Sequence, residues 1–256
     1  MKLTAFLYSA VLISLIGAVS CGKSTDTYNT ASATDYYMPL QVGKYIIYRL
    51  DTLKFINNQK DTIVSSQAKD LVAEAITDNL GRPAWRIVRY GRPLNSTDDN
   101  AWTPINTFTA TYADHKLEFV EDNLRFVKLH EPFREGYSWL GNSYLPYTPY
   151  GAQYDFSNDE DIQKWNYTFE ELNASVDING KTYDSTVTVT QIADSNNVPI
   201  VYPQGIAYNN YWVEKYAKNI GLVYKQVIMW EYQPETSTHS SYTTGFGVLQ
   251  TIISHN

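Results

Sequence analysis

Apolar and polar side chains change places at every second residue through most of the chain. The runs are Lys44–Asp51, Leu71–Thr77, Ala84–Tyr90, Thr107–Tyr112, Lys116–Glu121, Leu124–His130, Trp165–Leu172, Ala174–Ile178, Lys181–Ile192, Tyr211–Ala217, Leu222–Tyr232 and Gly245–Ser254. A period of two sends successive side chains to opposite faces, which predicts half-buried strands. Two hairpin turns stand out, at Asp122-Asn123 and at Asn179-Gly180. The second is the stronger signal, because Asn and Gly both tolerate the positive φ of a type I′ turn. The best helical stretch is Asn158–Trp165, with Asp159, Glu160 and Asp161 at its start, where the helix dipole favours acids. The expectation is an all-β fold of about eleven strands with at most a short helix. A single antiparallel sheet curled into a barrel or half-barrel would remove exposed edges; a β-sandwich is the alternative.

The first residues follow a different pattern. Lys2 precedes an uncharged apolar run, Leu3–Val19, which ends in Ala18-Val19-Ser20-Cys21. That order reads as a secretion signal over residues 1–20. Residues 22–35, GKSTDTYNTASATD, are small and polar without apolar periodicity, the composition of a flexible tether. A single β domain is then expected over 36–256. The small residues before Cys21 resemble the lipobox of bacterial lipoproteins. That resemblance implies cleavage before Cys21, lipidation of its thiol and a membrane anchor built from several acyl chains. Cys21 is the sole cysteine, so the domain has neither a disulfide framework nor a thiol to oxidise. Gly22, rather than Asp, resembles the residue after the anchor in lipoproteins destined for the outer membrane.

Two further segments carry a resemblance. Asp35–Tyr48, DYYMPLQVGKYIIY, looks like the YxPLxVGxxWxY opening of bacterial envelope lipoproteins. Tyr216–Lys225, YAKNIGLVYK, looks like their YAxGIGLVxxE segment. Here Ile46 or Ile47 replaces the Trp, and Lys225 or Gln226 the Glu. The resemblance implies an antiparallel half-barrel of the kind seen in lipoprotein carriers, in the cell envelope, and brings no catalytic residue with it. Gly43 and Gly221 precede strands where a turn with positive φ is expected.

Composition narrows the chemistry. A net charge of −7 leaves no basic face for nucleic acid. Gly136-Tyr137-Ser138-Trp139-Leu140-Gly141 is one residue too long for a nucleophile elbow. His115, His130, His239 and His255 share no metal-binding spacing, and Asp98-Asp99-Asn100 lacks the spacing and Gly of an EF-hand loop. Glu170 and Glu171 point to opposite faces of a strand and cannot form a hydrolase pair. Neither enzyme chemistry, a cofactor nor a metal is therefore expected. Aromatic residues make up 14% of the chain, with 22 Tyr. They crowd into Tyr144–Phe156, just after Trp139. Rigid aromatic loops stack on sugars or anchor partners, so Trp139, Tyr144, Tyr147, Tyr150 and Tyr154 are candidate ligand contacts; the competing reading is a lid that caps the sheet. The functional expectation is a non-enzymatic, membrane-anchored envelope lipoprotein that binds a glycan, a lipid or another apolar ligand. The alternative is a structural or assembly lipoprotein contacting another envelope protein.

Overall fold

The computed structural model describes residues 33–56, 60–154 and 158–256; Cys21 lies outside them. Twelve strands form one antiparallel sheet: β1 (Tyr45–Ile56), β2 (Lys60–Thr77), β3 (Pro83–Pro93), β4 (Thr103–Ala113), β5 (Lys116–Glu121), β6 (Leu124–His130), β7 (Ser138–Leu140), β8 (Asn166–Ile178), β9 (Lys181–Asn196), β10 (Ala207–Ala217), β11 (Gly221–Gln233) and β12 (Tyr242–His255). Their order is β6-β5-β4-β3-β2-β1-β12-β11-β10-β9-β8-β7. The chain thus winds once around a nearly closed barrel, and its first and last strands lie side by side. The two sheet edges, β6 and β7, meet at a seam. There the Val127 amide donates to the Gly141 carbonyl at 2.7 Å, and the Trp139 indole donates to the Val127 carbonyl at 2.8 Å. Near-closure leaves almost no bare edge, as expected for a sheet this wide. The single sheet settles the choice against a sandwich.

Asn179 and Gly180 have φ of 54° and 77°, the two left-handed residues of a type I′ turn. Gly43 and Gly221 also have positive φ, 91° and 113°.

Three features differ from the alternation pattern. First, β1 and β2 are far longer than the runs Lys44–Asp51 and Leu71–Thr77, and pair from Tyr45↔Leu71 out to Ile56↔Lys60. Their outer arms have no core beneath them; Ile63 is 66% exposed. Alternation needs one buried face, so these arms carry no such signal. Second, β7 is three residues long, too short to alternate visibly. Third, Asn158–Trp165 forms no α-helix; a single 3-10 turn spans Ile162–Lys164. Asp161 sits at φ 59°, and the buried Asp159 carboxylate turns inward to accept the backbone amides of Tyr150 and Gly151 at 2.6 and 3.1 Å. The acids that suggested a helix start instead tie down the preceding loop.

Among the described residues two short helices accompany the sheet, α1 (Ala33–Tyr37) and α2 (Gly151–Tyr154). α1 packs on the sheet at the start of the described residues. Thr34 is buried, Tyr37 stacks on Phe133 at 5.1 Å, and the Tyr112 hydroxyl donates to the Met38 carbonyl. The strap 38–44 that follows leads into β1 at one end of the barrel, here called the mouth. The β7–β8 connection, containing α2, closes the other end. Leu145 and Ile162 enter a core there with Phe126, Trp212, Val227, Met229 and Phe246.

Candidate functional site

The two ends are filled differently. Beneath the strap lies a cavity of about 790 Å³, counted with the space at its open mouth. Its mouth side is apolar: Met38, Leu40, Ile46, Val72, Leu117 and Leu222 line it. Its inner side is a belt of charge across the waist of the barrel. Asp70 and Arg89, directly opposed on β2 and β3, form a two-pronged ion pair at 2.7 and 2.7 Å. Lys128 of β6 reaches Glu214 of β10 at 2.7 Å, and Lys225 of β11 reaches Glu121 of β5 at 3.3 Å. Glu214, Lys225 and Gln250 lie in one row, each directly opposite the next across β10, β11 and β12. Glu214, Lys128 and Gln250 are almost wholly buried.

Buried charges persist only when paired and hydrogen-bonded. Glu214 also accepts the Tyr216 hydroxyl at 2.6 Å and the Trp212 indole at 3.4 Å. The ammonium groups of Lys128 and Lys225 sit 5.2 and 5.4 Å from the Trp212 ring centroid, so that one indole underlies both cations. Desolvation works against the charge on Glu121. The cations Lys225, Lys128 and Arg89 outweigh it and pull the carboxyl down to about 2. Glu214 follows the same logic: burial opposes its charge, while Lys128 and Lys225 hold its pKa below the ordinary value. Burial pushes the Tyr216 phenol well up, with Glu214 adding to the effect. Burial pulls Lys128 the other way, below its ordinary value, against the attraction of Glu214. The paired groups form a polar floor between the cavity and the aromatic plug.

The aromatic residues singled out in the sequence do not line this cavity. Trp139 is buried at the β6–β7 seam, in face or edge contact with Tyr167, Phe169 and Tyr137. Tyr150 and Tyr154 are half-buried in the plug, packed on Phe246 at 5.3 and 4.3 Å between ring centroids. Tyr144 and Tyr147 are exposed, at 50% and 52%. The second half of the loop caps the barrel, and its first half presents two tyrosines to solvent. Tyr147 donates to Glu160 at 3.3 Å, and Arg125 stacks on Tyr144 at 5.5 Å.

The belt residues did carry a local signal. Arg89, Lys128, Glu214 and Lys225 each occupy the apolar phase of an alternating run, as in Phe126-x-Lys128 and Trp212-x-Glu214-x-Tyr216. A charge on the buried phase of a strand implies a buried partner, although the partner's identity is non-local.

No protein-family model matches the chain, and no curated protein sequence matches it. Two solved structures resemble it. One is a candidate exported protein of Bacteroides fragilis with a YmcC-like fold, 13% identical, covering 86% of this chain and 99% of its own, with a TM-score of 0.34. The other is lipovitellin, in a structure of lipid–protein interactions, 8% identical, with a TM-score of 0.36. It covers 85% of this chain, which spans only 26% of lipovitellin.

Proposed function

We propose that this chain is a non-enzymatic, lipid-anchored protein of the bacterial envelope that binds a small ligand with an apolar body inside its barrel. The observation that carries the reading is the asymmetry of the interior: side chains fill one end, while the other keeps an apolar-walled space beneath the strap. Concave apolar sites with a few polar groups are where small molecules bind. Attachment at Cys21, and with it an outer-membrane location, rests on the lipobox resemblance.

Ligand binding is tested on the full mature chain with the neutral fluorophore N-phenyl-1-naphthylamine. Saturable fluorescence gain is expected, with loss in Leu117→Trp, which fills the cavity. Absence of saturable binding in the parent chain would overturn the reading. Labelled palmitate should enter the parent protein and not Cys21→Ser; equal labelling would remove the anchor.

A second reading, an assembly protein that contacts another envelope protein, is favoured by one surface. The β9–β10 loop exposes Ile200, Val201, Tyr202 and Ile206, with Val201 at 80%. Scattered exposed apolar residues are ordinary, but a run of them marks contact surfaces.

A further inference from the structure

The charge belt restricts what the cavity can hold. Asp70, Glu121 and Glu214 are each already matched by Arg89, Lys225 and Lys128 at 2.7, 3.3 and 2.7 Å. A second charged group brought to this floor would find no free counter-ion, and an uncompensated buried charge is strongly unfavourable. Lys44, the remaining cation of the lining, stands at the mouth and donates to the Asn219 carbonyl at 3.1 Å.

One polar atom of the lining is left over. Gln250 is 1% exposed, and its Nε2 has no hydrogen-bond partner in the protein. Its orientation is fixed: Oε1 accepts from Arg89 Nη2 at 3.1 Å, and a guanidinium can only donate, so Nε2 is the free end. The neighbouring Tyr48 hydroxyl gives its proton to the Leu222 carbonyl, so its oxygen can take one N–H of the Gln250 amide and the other N–H stays open. A buried donor without an acceptor is unfavourable, and a ligand can relieve it.

We infer that the ligand is uncharged where it meets the belt and offers Gln250 Nε2 an acceptor: a neutral acyl carbonyl, the ester or amide of a medium-length alkyl chain, seated carbonyl end first. The inference rests on the proposed ligand-binding role and specifies its chemistry. The alkyl body then lies against Val72, Leu117 and Leu222, toward the strap.

The test measures displacement of N-phenyl-1-naphthylamine from the full mature chain by methyl dodecanoate and by dodecanoate at pH 8. The ester should compete at a concentration at least about tenfold lower, a gap that an unpaired buried charge easily exceeds. Glu121→Gln removes one negative charge from the belt and frees Lys225, so it should shift the preference by about tenfold or more toward dodecanoate. Gln250→Met should weaken the ester about fivefold, while the fluorophore still binds. If dodecanoate competes as well as the ester, and Lys44→Met abolishes its binding, the head group sits at the mouth and the inference is overturned. It is equally overturned if neither Glu121→Gln nor Gln250→Met alters the ratio of the two affinities. Failure of the fluorophore itself to bind removes the ligand-binding reading instead.

Discussion

The two ends of this barrel solve the same problem in opposite ways. At the plug end the β7–β8 connection folds inward, and Leu145, Ile162, Tyr150 and Tyr154 complete a packed aromatic core on Phe246 and Trp212. At the mouth end α1 and the strap lie against the rim, and a cavity remains below them. Between the two runs the belt of paired charges. An aromatic core tolerates no added polar group, whereas a belt of ion pairs held on Trp212, Tyr216 and Gln250 tolerates a polar guest on its open side. The plug is packed and the mouth holds a cavity, with the belt shared between them, so mutations in the plug and at the mouth should separate.

The largest effect is expected at the belt. Lys128→Met leaves Glu214 buried with only the more distant Lys225, 4.0 Å away, and should cost about 3–5 kcal/mol. The double variant Lys128→Met/Glu214→Leu should recover most of that loss in urea denaturation; no recovery would mean that the pair is not the unit of stability. Acid probes the same belt. Glu121 is held down to about 2, against an ordinary value of 4.5. Its ionisation therefore adds stability that is complete above about pH 4.5 and is lost as the pH falls toward 2. On these values the loss is about 3 kcal/mol, and Glu121→Gln should flatten that part of the pH profile.

The plug gives the next effect. Tyr150→Ala removes a half-buried ring from Phe246 and Trp212 and should cost about 2–3 kcal/mol, below the range for fully buried aromatics. It should leave fluorophore binding at the mouth unaltered, and a coupled loss would break the separation of the two halves. At the mouth rim, Gly180→Val places a β-branched residue at φ 77°. Nothing lies within 4 Å of the added Cβ, so the effect is backbone strain alone, about 1–2 kcal/mol in the denaturation midpoint. The smallest effect is expected for Tyr147→Ala, within about 0.5 kcal/mol, because the ring is exposed. Loss of binding to envelope glycans in that variant, with stability intact, would give the outer half of the loop a role of its own.

The sequence made the sheet legible because half-burial imposes a period of two wherever a core lies beneath one face. Where none does, as in the β1–β2 arms around Ile63 and Val64, the strands left no trace in the pattern. The turns were legible too, since Asn179-Gly180 states its own geometry. The cavity was not. Glu121, Lys128, Glu214 and Lys225 come from β5, β6, β10 and β11, up to 104 residues apart in their pairings, and no local pattern names such partners. The division of the aromatic loop was not legible for a related reason: composition reports how much aromatic area a segment carries, not which of its rings point inward.

The side-by-side placement of the first and last strands sets the order in which this molecule can assemble. During synthesis β1 gains β2 at once, but its other neighbour, β12, emerges only after the ten strands between them, when Tyr45 donates to the Asn256 side chain and Asn256 donates back to Gly43. Until then the growing chain carries two long bare flanks, and Gln250 is not yet beside Arg89. Pairings of this sequence separation are slow to form and vulnerable to aggregation on the way. A chain that ends before Tyr242 therefore has no partial cavity to offer, only an open ribbon waiting for a strand from another molecule.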